Sequence, residues 1–144
     1  MPDRPVRDMI HRAALVRAGP DDTVRTAAKA MAEQICGSVL VMEGERLVGI
    51  FTERDLLTRV VAAARDADQT RLREVMTRDP DTIGADQPIK EVIRKMDEFG
   101  YRYLPVLEDG RVIGVISTRH LPFGEVIGMQ WELEDRHALT ERMW

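Results

Sequence analysis

Residues 49–55, Gly-Ile-Phe-Thr-Glu-Arg-Asp, return 65 positions later as residues 114–120, Gly-Val-Ile-Ser-Thr-Arg-His, and this duplication decides the fold. Outward from it, residues 20–57 align with residues 85–122 at the same offset without a gap. Two copies are too few for a solenoid, which needs about three or more repeats to bury a continuous core. We therefore expect two similar units packed about a pseudo-twofold axis, so that any cleft between them occurs twice.

The repeat extends toward the N-terminus, where residues 6–10 resemble residues 72–76 one residue out of step. The first copy is therefore predicted to carry one extra residue near residues 18–20. The last residues, 125–144, have no counterpart and mix apolar with charged side chains, which predicts an amphipathic helix. This helix either covers its own domain or makes a dimer contact. The alignments divide the chain into a first copy at 6–65, a linker at 66–71, a second copy at 72–124 and the tail at 125–144.

Each copy has the pattern helix, strand, strand, helix. Apolar residues follow helical spacing over residues 24–35 and 89–99. Further helices are expected from residue 53 to about residue 64 and from about residue 118 onward. Paired apolar runs that are separated by short polar turns predict antiparallel hairpins. The strands are predicted at 39–42 and 47–51 in the first copy, and at 104–107 and 112–116 in the second.

Capping residues are expected at the ends of the two long helices. Pro105 is expected at a sheet edge or at the start of its strand, because proline cannot donate a hydrogen bond to a neighbouring strand. The candidates for caps are Asp22 or Thr23 and Asp86 or Gln87 at the helix starts, and Gly37 and Gly100 near the helix ends.

Composition limits the class of protein. The 144 residues are 44% hydrophobic and 32% charged, which is typical of a globular domain, and no apolar run approaches the length of a membrane span. The N-terminus lacks the layout of a secretory signal, and a single cysteine fits a reducing compartment, so a cytoplasmic protein is expected. A net charge of −4 and seven aromatic residues argue against nucleic-acid binding.

The duplicated segment carries the strongest chemical signal. In each copy a strand ends in a hydroxyl residue, Thr52 or Ser117, that opens a helix, and the free N–H groups of a helix start favour a phosphate. Three residues after Thr52, Asp55 can accept hydrogen bonds from a ribose diol. The same spacing is also a helix-capping pattern, with Thr52 as N-cap and Asp55 reaching back. On local spacing alone, capping is the better supported of the two interpretations.

The repeated unit resembles the cystathionine-β-synthase (CBS) domain, and the chain resembles a stand-alone tandem pair of such domains, a Bateman module. The resemblance covers residues 6–124. The segments that carry it are 75–83 (VMTRDPDTI), 103–106 (YLPV), 47–55 (LVGIFTERD) and 112–117 (VIGVIS).

This resemblance implies a mixed α+β fold of two β-α-β-β-α units packed sheet to sheet. It also implies binding of an adenosyl ligand, which is AMP, ADP or ATP, or else S-adenosylmethionine or NAD. In the family the hydroxyl residue contacts phosphate and the aspartate holds the ribose, while segments of the other copy close the cleft. The first site would accordingly use Thr52, Arg54, Asp55, Thr82, Ile83, Arg102, Tyr103 and Pro105.

The second site departs from the family pattern at His120, which stands where the ribose-holding aspartate is expected. A neutral imidazole offers one donor and one acceptor, so it cannot hold a diol through two acceptor oxygens. The second site is therefore predicted to be weaker, empty or tuned to another ligand. Its residues would be Ser117, Arg119, His120, Val16, Arg17, Gly37 and Ser38.

Other chemistry finds little support in the sequence. His11, His137 and Cys36 lack the spacing of metal ligands, so no metal site is expected, and Cys36 is expected to pack against the core. No catalytic triad, glycine-rich phosphate loop or paired-carboxylate motif is present, so no catalytic residue is assigned. For Arg54 and Arg119, contact with the ligand and exposure to solvent without such contact are equally supported.

Three functions are considered. The favoured one is a regulatory sensor that binds an adenine nucleotide and signals to an effector protein in trans, as a homodimer. The alternative is a structural interaction or dimerisation module without nucleotide, in which Thr52 and Asp55 only cap a helix. An enzyme that acts on a nucleotide is the least supported.

Overall fold

A computed structural model describes residues 3–10 and 15–121, and within them the chain forms a mixed α+β fold with two small sheets. It divides into two compact units that do not follow the repeat boundaries. We call the described part of residues 13–80 the central unit. We call the described parts of residues 1–12 and 81–144 together the split unit. The predicted tail at 125–144 lies outside the described residues.

The central unit is built on a four-stranded sheet in the order β1-β2-β3-β4, in which β1 runs parallel to β2 and the other pairs are antiparallel. Its core contains fully buried residues such as Val24, Val39 and Phe51. The elements are β1 (Arg17–Ala18), α1 (Val24–Gln34), β2 (Ser38–Glu43), β3 (Arg46–Thr52), α2 (Glu53–Asp55) continuing as a π-helix (Leu56–Val61), α3 (Leu72–Val75) and β4 (Thr77–Arg78).

The split unit has a three-stranded sheet in the order β5-β6-β7, with β5 parallel and β7 antiparallel to β6. One face of α4 contributes four residues to the hydrophobic core of this unit: Ile89, Val92, Ile93 and Met96. The elements are a 3₁₀ helix (Val6–Met9), β5 (Ile83–Gly84), α4 (Ile89–Phe99), β6 (Tyr103–Glu108), β7 (Arg111–Ser117) and a second 3₁₀ helix (Thr118–His120).

The predicted hairpins are confirmed. In the split unit the turn between β6 and β7 consists of Asp109 and Gly110, both with positive φ (53° and 77°), the conformation that two-residue hairpins require. Pro105 lies in the middle strand of its sheet and is the third residue of β6, so it is neither at a sheet edge nor at the start of its strand, the two positions predicted. It is tolerated there because β5 pairs only with Val106 and Leu107, so Pro105 has no pairing residue in β5.

The capping predictions are confirmed in part. Thr23 caps α1, its hydroxyl accepting from the backbone N–H of Thr26 at 3.2 Å, and Gly100 ends α4 in the left-handed conformation with φ 76°. In the first copy the left-handed residue that ends α1 is Ile35 (φ 51°), and not the predicted Gly37. The start of α4 has Pro88 as N-cap, without a side-chain cap.

The N-cap candidates of α4, Asp86 and Gln87, bind the N-terminal segment instead. The carboxylate of Asp86 pairs with the guanidinium of Arg7, and the carbonyl of Gln87 accepts from the N–H of Val6 at 2.9 Å. Glu108 pairs with the same guanidinium, and the two hydrogen bonds together raise the pKa of Arg7. Because these groups are held by a segment about 80 residues away, local sequence reasoning misassigned them.

Each unit contains the same backbone docking contact. In the split unit the N–H of Val6 donates to the carbonyl of Gln87, and in the central unit the N–H of Leu72 donates to the carbonyl of Asp22, both at 2.9 Å. The first residues of each copy therefore dock beside the helix start of the other copy. This docking explains why the units cut across the repeat.

Strand register corrects the position of the extra residue. Ala18 pairs with Val41 and Ile83 pairs with Val106, so the offset of 65 already holds at β1 and β5. The insertion therefore lies before Arg17 and not near residues 18–20. By this register, Thr82 and Ile83 correspond to Arg17 and Ala18, one residue later than the Val16 and Arg17 that the sequence alignment selected.

The predicted linker, residues 66–71, docks on the start of α1. The N–H of Val24 donates to the carbonyl of Thr70 at 2.9 Å, and the N–H of Arg25 donates to that of Ala67 at 3.0 Å. Thr70 is buried. These bonds satisfy two N–H groups at the helix start, so the segment is part of the central unit's packing.

Gly49 marks the closest backbone approach in the central unit. A Cβ there would overlap the sulfur of Met76 and lie 3.1 Å from the carbonyl oxygen of Thr77, which is fixed backbone of β4. We expect Gly49→Ala to lower the free energy of unfolding by about 1–3 kcal/mol, since overpacking forces a shift of the neighbouring strand. Urea denaturation measures the change. Gly84→Ala is the control, because its Cβ would meet only Gln87 at 3.5 Å; equal losses in both variants would contradict the argument.

Candidate functional site

The candidate site begins where β3 ends and α2 starts. Thr52 is extended (φ −117°, ψ 167°) and is the N-cap of α2. Its hydroxyl accepts from the N–H of Asp55 at 3.2 Å, and its own N–H donates to Oδ2 of Asp55 at 2.9 Å. The pair is thus a capping box, which is the local interpretation that the spacing favoured.

The carboxylate of Asp55 is enclosed, with the residue only 8% exposed. Its Oδ2 also accepts from the hydroxyl of Thr52 at 3.1 Å, while its Oδ1 lies 3.5 Å from Nε of Arg59. Arg59 is anchored in turn by donating to the carbonyls of Val75 and Met76 at 3.0 Å each. Capping therefore occupies Oδ2, and Oδ1 keeps lone-pair capacity for another donor such as a ligand hydroxyl.

Sequence reasoning missed Arg59. The available signal was the four-residue spacing from Asp55, which places an acid and a base on the same helical face. An opposite charge at this distance offsets the desolvation of a buried carboxylate. Arg59 is half exposed (47% of its side chain), so a negatively charged ligand at Asp55 would also meet a cation.

Two residues assigned to the second site lie beside Thr52 in the central unit. Ser38 is paired with Thr52 across β2 and β3 and is buried (2% exposed). The N–H of Glu53 donates to the carbonyl of Gly37 at 3.0 Å. The structure thus brings Gly37, Ser38 and Thr52 together where β2 begins and β3 ends.

The split unit repeats this arrangement. Ser117, buried at 4% exposure, pairs with Tyr103 across β6 and β7, and the N–H of Thr118 donates to the carbonyl of Arg102 at 3.1 Å. Nε of Arg102 is buried and makes no hydrogen bond with the described residues. A buried donor without an acceptor is unfavourable, so this N–H is suited to an incoming acceptor group.

The remaining predicted residues are placed as follows. Thr82 is half-buried, Ile83 and Pro105 are buried, and Val16 is buried beside the exposed Arg17. Arg54 and Arg119 are exposed on the first turns after β3 and β7. His120 ends the second 3₁₀ helix, and its side chain lies outside the described part of the chain, as do His11 and His137.

Cys36 packs against the core of the central unit, as predicted. Among residues 3–10 and 15–121, no three His, Cys, Asp or Glu side chains are grouped so that they could hold a metal ion. Within the same ranges, no helix has the length and apolar character needed to cross a bilayer.

A cavity of about 170 Å³ in the central unit involves none of the predicted residues. Its lining includes the basic Arg46, Arg73 and Arg78 and the acidic Glu43 and Asp79. Arg73 is already paired with Asp21. The mixed charges select no particular ligand.

Comparison with known proteins identifies the repeated unit. The family model described as the CBS domain matches residues 6–62 and again residues 72–121. A curated relative, the CBS domain-containing protein CBSCBSPB1 of Arabidopsis thaliana, is 35% identical over 113 residues. That alignment covers 78% of this chain, and the chain spans 21% of the relative's length.

Two solved structures of similar fold contain adenosyl compounds. A CBS domain protein from Pyrobaculum aerophilum, complexed with AMP, superimposes with a TM-score of 0.79 at 25% identity and covers 90% of this chain and 98% of its own. The CBS domain pair of protein MJ0100, complexed with 5′-methylthioadenosine and S-adenosyl-L-methionine, has a TM-score of 0.73 at 25% identity. It covers 90% of this chain and 99% of its own.

Proposed function

Because the chain belongs to the CBS domain family, as a tandem pair, we propose that it is a regulatory module that binds an adenosyl ligand and reports its occupancy to a partner protein in trans. The observation that carries this proposal is the similarity to two CBS proteins solved with AMP and with S-adenosyl-L-methionine, over nine tenths of this chain. The ligand class is AMP, ADP or ATP, with S-adenosylmethionine and NAD as further candidates.

In the proposed first site, Asp55 holds the ribose and Thr52 contacts a phosphate. Two features of the central unit support these roles: the carboxylate oxygen Oδ1 of Asp55, which has spare acceptor capacity, and the half-exposed Arg59. The resemblance assigns further residues to the same ligand, and they stay predictions. They are Arg54, Thr82, Ile83, Arg102, Tyr103 and Pro105.

The proposed second site has a hydroxyl at Ser117 but His120 in place of the aspartate. We expect weaker binding there, because an imidazole cannot accept both hydrogen bonds of a diol. Its other predicted residues are Val16, Arg17, Gly37, Ser38 and Arg119.

Regulation follows if the ligand binds one conformation or assembly state of the module better than another. By linkage, a partner that prefers the same state then raises the affinity for the ligand by the same factor. A homodimer and a separate effector protein are the proposed partners, and a cytoplasmic location stays a prediction. No catalytic role is proposed.

A structural interaction module without nucleotide is the second candidate. The capping box of Thr52 and Asp55 favours it, because local contacts alone account for both side chains. In that case the hydroxyl and the carboxylate contribute only to helix stability.

Calorimetric titration with AMP, ADP, ATP, S-adenosylmethionine and NAD separates the two candidates. We expect heat of binding for at least one adenosyl compound, with one strong site per chain and a second site that is weaker or silent. Folded protein that releases no heat with any of the five would contradict the sensor proposal and leave the structural module.

A further inference from the structure

Asp81, just before β5, accepts hydrogen bonds from two donors in the split unit. Nζ of Lys95 donates to Oδ1 of Asp81 at 2.9 Å, and the N–H of Thr82 donates to the same oxygen at 2.9 Å. We call Asp81 and Lys95, with the backbone of Thr82, the Asp81 clasp.

The clasp also holds backbone. Nζ of Lys95 donates to the carbonyl of Thr82 at 3.0 Å, so one ammonium binds both the side chain and the main chain of this segment. Lys95 projects from α4, whose opposite face is buried in the core, and only 22% of its side chain is exposed. The start of β5 is therefore anchored to a helix that contributes four buried residues to the core of its unit.

The charges in the clasp are stabilised at neutral pH. Burial alone would raise the pKa of the Asp81 carboxyl, but the hydrogen bond and charge of Lys95 outweigh burial and hold the pKa below its usual value. Because the pKa of Asp81 is lower in the folded state, the contribution of its pairing is fully present above the ordinary carboxyl pKa and is lost as the pH falls through the lowered value.

The clasp anchors a segment of the split unit that is predicted to contact the ligand. Asp81 adjoins Thr82 and Ile83. The bonds from Lys95 to the carboxylate of Asp81 and to the carbonyl of Thr82 therefore fix the start of β5 relative to α4. Ordering such segments in advance removes part of the entropic penalty of binding.

The first copy has no such clasp. At the offset of 65 that the strand register supports, the positions of Asp81 and Lys95 are occupied by Val16 and Ala30. Neither of these side chains can form a salt bridge. Side chains therefore anchor the start of β5, whereas at the start of β1 the backbone N–H of Leu40 donates to the carbonyl of Val16 at 2.9 Å.

We propose that Lys95 is a positioning residue for the adenosyl ligand, and that the Asp81 clasp makes the site closed by Thr82 and Ile83 the tighter of the two. This inference rests on the proposed function. The two proposed sites would then differ in the clasp, and not only in having Asp55 at one site and His120 at the other.

The test uses Lys95→Met in the full chain, which keeps the aliphatic stem and removes the ammonium. We expect the affinity for the best-binding of AMP, ADP, ATP and S-adenosylmethionine to fall about tenfold, which corresponds to ~1.4 kcal/mol. Amide hydrogen exchange at residues 82–85 should become faster at the same time. Lys95→Arg should recover part of the affinity, since a guanidinium can donate to both the carboxylate and the carbonyl.

Lys90→Met is the matched control. Lys90 lies on the same helix and pairs with Asp3 at 3.1 Å, with side chains 51% and 81% exposed, so the same chemical change breaks a surface pair that involves neither Asp81 nor Thr82. It should alter neither the affinity nor the exchange at residues 82–85. Unchanged affinity in Lys95→Met would overturn the inference, whether or not exchange accelerates. If the wild-type chain binds none of the compounds, the proposed function itself fails.

Discussion

Asp55→Ala is expected to weaken binding of the adenosyl ligand about a hundredfold while lowering the free energy of unfolding by only about 1–2 kcal/mol. The loss of affinity reflects the hydrogen bond from a ribose hydroxyl to the charged Oδ1, because a hydrogen bond to a charged group contributes about 1.5–3 kcal/mol. The smaller loss of stability reflects the capping box, because the N–H of Thr52 loses its acceptor at Oδ2. Calorimetry measures the affinity, and urea denaturation measures the stability.

Thr23→Ala is the matched control for this experiment. Thr23 caps α1 through its hydroxyl, as Thr52 caps α2, but it has no predicted ligand contact. Its removal should lower the free energy of unfolding by about 1 kcal/mol and leave the affinity unchanged. If Asp55→Ala behaves in the same way, with lost stability and unchanged affinity, the carboxylate only caps the helix and the structural alternative is correct.

Phe51→Ala is expected to lower the free energy of unfolding by about 3–5 kcal/mol, because truncating a buried phenylalanine leaves a cavity. Phe51 is fully buried in the core of the central unit, opposite Val39 on the neighbouring strand. A loss of this size is a large part of the total stability of a small domain, which is about 5–15 kcal/mol. Thermal or urea denaturation followed by circular dichroism measures it.

Phe99→Ala provides the comparison for the same side chain at the surface. Phe99 is 55% exposed at the end of α4, where its ring lies 5.5 Å from that of Tyr101. Its removal should change the free energy of unfolding by about 1 kcal/mol or less, mainly through the lost ring contact. If Phe51→Ala loses as little stability as Phe99→Ala, the core of the central unit does not depend on Phe51.

Much of the candidate site could be predicted from local sequence. The duplicated hydroxyl at Thr52 and Ser117 marks the helix starts. Asp55, three residues after Thr52, predicts both a helix cap and a ligand contact. Local spacing could not reveal that Arg59 is anchored on Val75 and Met76, because those carbonyls lie 16 and 17 residues further along the chain. The partner of Asp55 is therefore defined by a tertiary contact.

The Asp81 clasp could be predicted from the sequence only in part. Lys95 is one of several charged residues on the polar face of α4, and in the sequence it is indistinguishable from Lys90. Only the folded chain separates them, since the turn after residue 80 brings Asp81 within 2.9 Å of Nζ of Lys95 while Lys90 meets the exposed Asp3 at the surface. A helical pattern predicts which face is polar, but it does not predict what that face contacts.

Residue patterns within about ten positions predict the paired hairpins and the buried faces of the two long helices. The alignment at an offset of 65 predicts the repeat, and the resemblance that this repeat carries implies the α+β class. The division into units, in contrast, depends on tertiary contacts. Residues 1–12 belong with residues 81–144, because the backbone N–H of Val6 donates to the carbonyl of Gln87, and residues 70–73 belong with the first copy through the equivalent bond from Leu72 to Asp22. Every residue except proline carries the same backbone N–H and C=O groups, so these contacts between distant segments leave no signature in the order of the side chains.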